Sequence, residues 1–316
     1  MYRVKGGEAD DVFTPMREAL PIKSKGEPVK TGPPVDEPEK PPSILATASD
    51  ASPYAGVREP RDACVDERGR LWVADFGNSR IRIYDADGGS LGGWGGRGNG
   101  TFGLREPSGV ASRGNSLYIA DTWNGRILAF TLDGVFKAAV PGLYGPRGVA
   151  VGPDGRVWVT DTGNSRVIRY DAGLEQLAII GKPGKGPGEF SSPVGIAAGP
   201  SGNVYVADTG NHRIQVLDSS GRFVKSLSFP GWNGSVEAHL EVDLDETLFV
   251  TDATVNQVVV MDSSGQLIRR LEKDEAGVPF AGPMGIALDR KTRSLYVVNT
   301  RNDTISKTAL KDAKYR

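Results

Sequence analysis

One short pattern recurs along most of the chain and limits the folds open to it. The stretch from Val204 to Asp218, VYVADTGNHRIQVLD, holds two runs of alternating apolar residues separated by a Thr-Gly-Asn turn. Alternation with period two on both sides of a tight turn is typical of two antiparallel strands. The pattern returns in three close copies and two eroded ones, at Leu71–Asp85, Leu117–Thr131, Val157–Asp171, Leu248–Asp262 and Leu295–Ala309. One hairpin is marginally stable in water, so we expect the copies to pack on one another.

The spacing of these copies predicts the architecture. The aspartate that ends the first run of each copy recurs every 40 to 47 residues, with an asparagine in the last copy: Asp75, Asp121, Asp161, Asp208, Asp252 and Asn299. A four-stranded propeller blade needs roughly 40 to 50 residues. The sequence therefore predicts an all-β fold over residues 43–316, a six-bladed β-propeller with four-stranded antiparallel blades.

Composition agrees with a turn-rich β protein and excludes some functions. The 316 residues include 42 glycines and 21 prolines, and the formal net charge is -1, which argues against a general polyanion binder. No apolar run approaches the roughly 18 residues of a membrane helix. Cys64 is the single cysteine, so an internal disulfide and a cysteine-based zinc site are excluded. Its place in the apolar run DACVD predicts a small buried residue.

Residues 1–42 differ from the rest of the chain. The stretch GEPVKTGPPVDEPEKPPS is rich in Pro, Lys and Glu and has almost no large apolar side chain. Such a segment cannot bury enough surface to offset its chain entropy, which predicts a disordered linker or tail. Because linkers join domains, we expect an extracytoplasmic part of a larger or tethered protein, while the one cysteine also suits the cytoplasm, and the compartment stays open.

The start of the propeller region is expected to complete its last blade. ILATASDASPYAGVREP has the same order of apolar strand, loop, aromatic residue and proline as the end of the third repeat, LAIIGKPGKGPGEFSSP. The last repeat shows three strand patterns and no convincing fourth one. We therefore predict that Ile44–Ala48 forms the fourth strand of the sixth blade, which covers two sheet edges.

Four of the six repeats open with a proline followed two residues later by glycine, as in Pro107-Ser-Gly and Pro146-Arg-Gly. Proline is tolerated at the first residue of a strand, and glycine suits the crowded axis of a ring. The first repeat departs from this text with Pro60-Arg-Asp-Ala. The fifth repeat, whose first strand is predicted to start at Leu240, lacks the proline.

The D-T-G-N-x-R turn and the P-x-G-V/I start together resemble the NHL repeat, over roughly residues 43–316. The resemblance implies a six-bladed propeller. It also implies a binding platform for proteins or, in some animal members of the family, for RNA. Related propellers include hydrolases, lyases and lactonases.

The most regular residues are expected to be structural. Each repeated aspartate precedes an arginine by five positions and can pair with it across the hairpin or from the next blade. A residue needed in every blade belongs to the scaffold, so we assign this role to Asp75, Asp121, Asp161, Asp208, Arg80, Arg126, Arg166 and Arg213. The asparagines of the same turns, such as Asn164, are expected in the left-handed conformation.

The variable residues are expected to form the binding face. In an up-and-down blade, the turns between strands two and three share one face of the ring with the loops between blades. The candidates there are Arg61 and Arg147, near the mouth of the central channel, and Arg58, Arg105, Phe76, Trp123, His212 and Arg301. Exit-loop aromatics, Trp94, Phe102, Tyr144, Phe190 and Trp232, add to the face or fill gaps between blades. A mixture of Arg and aromatics is typical of interaction hot spots. It predicts a monomeric, non-catalytic module that binds a protein, peptide or glycan.

Two alternatives remain open. Two histidines cannot make a three-histidine zinc site and no HExxH motif is present, so we expect no catalysis and no cofactor. A calcium-dependent hydrolase, lactonase or lyase is still possible, with the oxygen ligands Glu59, Asp62, Glu241 and Asp243. RNA binding is the second alternative, through Arg58, Arg61, Arg105, Arg147 and Trp123, and the Gly-rich GGRGNG segment adds to it.

Overall fold

A computed structural model describes residues 53–232 and 237–310. These residues form 23 strands in six sheets, with four short 3-10 turns. The predicted six-bladed β-propeller is confirmed. Within the described residues, no helix is long and apolar enough to cross a membrane.

Each blade is one antiparallel sheet whose strands follow chain order. Blades one to three contain β1 (Asp62–Val65), β2 (Leu71–Asp75), β3 (Arg80–Tyr84) and β4 (Ser90–Gly95); β5 (Gly109–Arg113), β6 (Ser116–Asp121), β7 (Arg126–Thr131) and β8 (Phe136–Val140); β9 (Pro146–Val151), β10 (Val157–Asp161), β11 (Arg166–Tyr170) and β12 (Gln176–Ile180). Blades four to six contain β13 (Pro193–Ala198), β14 (Val204–Asp208), β15 (Arg213–Leu217) and β16 (Phe223–Leu227); β17 (Leu240–Val242), β18 (Leu248–Asp252), β19 (Gln257–Met261) and β20 (Leu267–Leu271); β21 (Pro283–Asp289), β22 (Ser294–Asn299) and β23 (Thr304–Ala309).

The sixth blade has three strands within the described residues. The predicted fourth strand, Ile44–Ala48, lies outside them, as does the predicted linker over residues 1–42. Both stay predictions.

The described residues nevertheless close the ring. Neighbouring first strands contact one another in sequence order from β1 to β21, and β21 contacts β1. The Thr300 hydroxyl of blade six donates to the Pro60 carbonyl of blade one over 2.6 Å. The same bond joins blade three to blade four, where the Thr162 hydroxyl donates to the Pro193 carbonyl over 2.7 Å. The sixth blade therefore meets the first as the third meets the fourth.

The blades pack face to face through apolar side chains. The second strand of a blade, such as β10 or β14, is buried at every position, because both of its faces contact a neighbouring blade. Between blades one and two, Trp94 packs against Phe130 with ring centroids 4.5 Å apart, beside the buried Trp72. Burial of such large side chains is the main source of stability in a fold with few long-range backbone bonds between sheets.

The repeated aspartates lie at the inter-strand turns and are fully buried. One carboxylate oxygen of Asp75, Asp121, Asp161 and Asp208 accepts a backbone N–H from the loop that enters the blade, at 2.7–2.8 Å. The other oxygen accepts the Nε–H of the arginine five residues on, at 2.6–2.8 Å. A buried carboxylate is tolerated when its lone pairs are satisfied in this way. These contacts tie the entering loop, the turn and the third strand together.

The prediction that the turn asparagine adopts the left-handed backbone conformation is wrong. The left-handed residue is the next one along, as at Ser165 (φ 51°) and His212 (φ 56°). Asn164 instead lies in the 3-10 turn, where its side-chain amide donates to the Asp161 carboxylate over 2.8 Å. The aspartate therefore holds the asparagine side chain in place, and the residue after the asparagine adopts the left-handed conformation that reverses the chain.

Candidate functional site

The face that carries the turns between second and third strands, here called the turn face, presents most of the predicted binding residues. Trp123 is 40% exposed. Exposed side chains also include those of Arg58, Arg105, His212 and Arg301, and Phe76 is half-buried. Of the exit-loop aromatics, Tyr144 is 62% exposed, whereas Trp94, Phe102 and Phe190 are buried, and Trp232 stacks on Phe229 at 5.0 Å. The buried aromatics fill gaps between blades.

Arg61 and Arg147 lie at the mouth of the central channel, where both contact Glu237. The Arg61 Nη1 atom is 3.3 Å from Glu237 Oε2, and Arg147 Nη1 contacts the other carboxylate oxygen. The Arg61 guanidinium also lies over the Phe76 ring, 4.5 Å from its centroid. About a fifth of each of the three charged side chains is exposed.

The two arginines thus share one carboxylate partner, and their role in ligand binding stays a prediction. They come from blades one and three, and Glu237 comes from the start of blade five, where other blades have proline. Three side chains from alternate blades therefore meet over the axis and close the channel at the turn face. We call Arg61, Arg147 and Glu237 the axial triad. The Glu237 carboxylate lies between the two guanidinium groups and contacts both, which holds the three side chains together at the turn-face end of the channel.

Below the axial triad, most blades place glycine next to the axis, at Gly109, Gly148, Gly195 and Gly285. These positions are crowded by the following blade. A Cβ atom added to Gly109 would lie 2.1 Å from the Arg147 carbonyl oxygen, and one added to Gly148 would lie 2.3 Å from that of Val194. Glycine is required here because neighbouring backbones approach so closely.

Blades one and five break this rule, with Asp62 and His239 in the glycine position. The register shows the equivalence, since Asp62 pairs with Ala74, and Gly109 pairs with Ala120, each just before a repeated aspartate. The His239 carbonyl accepts a hydrogen bond from the backbone N–H of Thr251, the residue before Asp252. The two departures from the repeat therefore lie at the same level of the channel.

Asp62 and His239 contact each other, although blade six separates their blades. His239 Nδ1 is 3.3 Å from Asp62 Oδ1, and the other carboxylate oxygen accepts the Val110 N–H over 3.0 Å. Both residues are buried, at 7% and 4% exposure. The carboxylate only accepts, which assigns a proton to Nδ1. His239 Nε2 is buried and has no hydrogen-bond partner among the described residues.

The same two blades also differ from the other four at the position two residues further along the first strand. Four blades have alanine there, Ala111, Ala150, Ala197 and Ala287, whereas blade one has Cys64 and blade five has Glu241. Burial raises the pKa of the Glu241 carboxyl, although Arg290, at 3.2 Å, acts in the opposite direction. Burial also raises the pKa of the Cys64 thiol well above its usual value, so Cys64 is a protonated, buried thiol.

Asp62, Cys64, His239 and Glu241 line a cavity of about 340 Å³ along the channel. The rest of the lining combines alanine, valine, isoleucine and leucine residues with Ser112, Arg113 and Arg290. At one end it is lined by Arg113, Pro153 and Leu244, exposed residues at the turns between first and second strands. The cavity therefore opens on the face opposite the turn face.

Of the four predicted calcium ligands, Asp62 and Glu241 line the same cavity, whereas Glu59 and Asp243 do not line it. Asp62 contacts His239, Glu241 contacts Arg290, and Asp243 Oδ2 is 2.6 Å from Arg293 Nη1. Glu59 is an exposed residue before the first strand of blade one. In residues 53–232 and 237–310, no three His, Cys, Asp or Glu side chains are grouped as metal ligands.

Sequence reasoning missed Glu237 and the significance of His239. The signal was present, because Glu237-Ala-His stands where four other blades have Pro-x-Gly. The pairing of Asp62 with His239, and of Arg61 with Glu237, depends on the ring closing, which brings distant repeats together.

Comparison with known proteins agrees with this architecture. The family model of the NHL repeat matches residues 58–84, 143–170 and 190–217, in blades one, three and four. Three of the six blades thus match the NHL repeat, which supports the predicted resemblance to NHL-repeat six-bladed propellers. The curated proteins include no significant match.

Solved structures share the fold at low sequence identity. A streptogramin B lyase is 16% identical with a TM-score of 0.57, covering 84% of this chain and 87% of its own. A virginiamycin B lyase from Staphylococcus aureus is 17% identical with a TM-score of 0.56, covering 81% and 85%. A chain of a nidogen/laminin complex is 19% identical with a TM-score of 0.58, covering 72% and 84%. At these identities the likeness extends to the fold alone.

The axial triad makes a testable contribution to stability. Replacing Glu237 with glutamine leaves two guanidinium groups facing each other without a carboxylate, so we expect a loss of about 1–3 kcal/mol in the free energy of unfolding. Urea denaturation followed by circular dichroism measures this change. Glu59→Gln, on an exposed side chain of the same sign, is the control and should change stability by less than about 0.5 kcal/mol. Equal effects of the two substitutions would show that the contacts of Glu237 in the axial triad do not stabilise the fold.

The raised pKa of Glu241 predicts a pH-dependent effect of its replacement. A carboxyl whose pKa is higher in the folded state favours folding when protonated, and this contribution is lost as the pH rises past the unfolded value of about 4.3. Glu241→Gln should therefore be more stable than the native chain at pH 7, and the difference should shrink towards pH 4. Thermal melts across this range test it, with the exposed Glu175→Gln as control. A destabilised Glu241→Gln variant at pH 7 would show that the Arg290 contact outweighs burial.

Proposed function

We propose that this propeller is a non-catalytic recognition module that binds a protein or peptide on its turn face. The observation that carries the proposal is the axial triad, which closes the channel at that face. A closed mouth leaves a broad surface of loops and turns there. Broad surfaces suit macromolecular partners, whereas small molecules are held in concave sites.

Two exposed aromatic side chains provide candidate anchors on that surface. Trp123 lies in the turn of blade two, where its backbone N–H donates to the Arg105 carbonyl over 3.1 Å. Tyr144 lies in the loop between blades two and three, and its ring covers Gly163 of the next turn, where an added Cβ would be 2.3 Å from Cδ1. Tryptophan and tyrosine supply large contact areas with few rotatable bonds, which makes them frequent hot spots.

The charges of the turn face favour a protein or peptide over RNA. Arg58, Arg105 and Arg301 are exposed, but so are Glu59 and Asp303, and the Glu59 N–H donates to the Asp303 carboxylate over 2.6 Å. Nucleic-acid faces carry an excess of positive charge, which neutralises phosphates. Mixed charges around aromatic anchors are typical of protein interfaces instead.

The fold itself supports either recognition or catalysis. Similar propellers occur in a nidogen/laminin complex and in two lyases. The choice made here rests on the closed channel mouth and on the exposed aromatic and arginine side chains of the same face.

Random peptides displayed on phage test the proposal. Peptides selected on the native propeller should lose at least about tenfold in affinity on a Trp123→Ala, Tyr144→Ala double variant, because hot-spot truncation costs 2 kcal/mol or more. Isothermal calorimetry with synthetic peptides gives the affinities. The matched control is Val135→Ala, an apolar side chain, 54% exposed, at the opposite face.

Peptides that bind the native chain and the double variant equally would contradict the proposed face. Salt-dependent retention of a random RNA pool, lost in an Arg58→Ala, Arg105→Ala variant, would favour the RNA alternative instead.

A further inference from the structure

We propose that the central channel is a second binding site, for a small neutral molecule with an apolar body and one hydroxyl or amide N–H. This site opens on the face opposite the turn face. It is independent of the macromolecular recognition proposed above.

The first support is that the residues of this site are not needed to build the ring. Four blades close around the axis with glycine and alanine, at Gly148 and Ala150 for example. Blades one and five replace both small residues, with the ionisable side chains of Asp62, His239 and Glu241 and the thiol of Cys64, and all four replacements line the same cavity. Burying polar groups on the axis opposes folding, so a regular ring gains nothing from them. Departures from a repeat that converge in one cavity are expected at functional sites.

The second support is the orientation of His239. The Asp62 carboxylate lies 3.3 Å from Nδ1 and favours the proton on that nitrogen, and the Val110 N–H donates to the other carboxylate oxygen. In the neutral imidazole, Nε2 is then a hydrogen-bond acceptor with a fixed direction. His239 lines the cavity, its Nε2 atom is buried, and no described residue donates to that atom. An acceptor held in this way matches a ligand that brings a hydroxyl or N–H donor.

The third support is the character of the walls. Alanine at three blades leaves room beside apolar side chains such as Val149 and Ile196, and the cavity volume of about 340 Å³ lies within the range of small-molecule sites. The charged side chains that line it offset one another, with Asp62 and Glu241 against Arg113 and Arg290. Apolar side chains beside charges that offset one another favour a neutral ligand with an apolar body over an ion.

Access also separates this site from the turn face. The axial triad lies across the channel at one end, whereas exposed residues of the β5–β6 and β9–β10 turns, Arg113 and Pro153, line the other end. A ligand therefore enters without crossing the face proposed to bind a macromolecule.

A pair of matched probes tests the site. Benzyl alcohol and toluene have similar apolar bodies, but only the alcohol carries a hydrogen-bond donor. Ligand-observed NMR titrations on the full chain give both affinities. We expect benzyl alcohol to bind about fivefold more tightly, as one net hydrogen bond implies. In His239→Leu, this preference should disappear while toluene still binds.

Two further variants keep the test decisive if His239→Leu does not fold. Ala197→Leu fills the cavity from a blade without polar departures and should abolish binding of both probes, with folding checked by circular dichroism. Trp123→Ala, on the turn face, should change neither affinity. The proposal is overturned if neither probe binds, if the two bind the native chain equally, or if Ala197→Leu leaves binding intact. Failure of the peptide experiment on the turn face would not affect these outcomes.

Discussion

A carboxylate buried at the end of the second strand is the interaction on which the blades depend. In blade three, Asp161 accepts hydrogen bonds from the entering loop at Tyr144, from Asn164 in the turn and from Arg166 on the third strand. An ionised group without such partners would be too costly to bury. Because the turn asparagine and the arginine lie at fixed offsets of three and five residues from the aspartate, blades one to four repeat the same residues, and this repetition makes them alike.

Alike blades place their first strands around a common axis, and the axis has little room. The close approach of neighbouring backbones requires glycine at positions such as Gly148 and Gly195. Since most blades have glycine there, any larger side chain next to the axis departs from the repeat. Such side chains form three successive layers: the axial triad from blades one, three and five, the Asp62–His239 pair from blades one and five, and the layer of Cys64 and Glu241 from the same two blades. The ring is thus closed at one face and open into a polar-lined cavity at the other.

The sequence was sufficient to predict the fold because the blade repeat is local. Alternation, turn residues and spacing all lie within about 45 residues, and each is read from one copy. The site was harder to predict, because its contacts join residues far apart in the chain; Arg61 and Glu237 are separated by 176 positions. Arg61 and Arg147 were identified as channel residues, but their common partner was not, since nothing in one repeat shows which blade faces it. The turn conformation was misplaced by one residue for a related reason, as a side-chain bond from Asn164 to Asp161 outweighs the backbone preference of asparagine.

The central claim is that repeated residues hold the ring while departures from the repeat serve binding. Urea denaturation of two variants tests it most directly: Asp208→Ala, which removes one repeated carboxylate, and Asp62→Gly with His239→Gly, which restores the common axial residue in both departing blades. We predict a loss of about 3–5 kcal/mol in unfolding free energy for the first and less than about 2 kcal/mol for the second, because both members of a buried polar pair are removed together. A double variant that loses as much stability as Asp208→Ala would contradict the account.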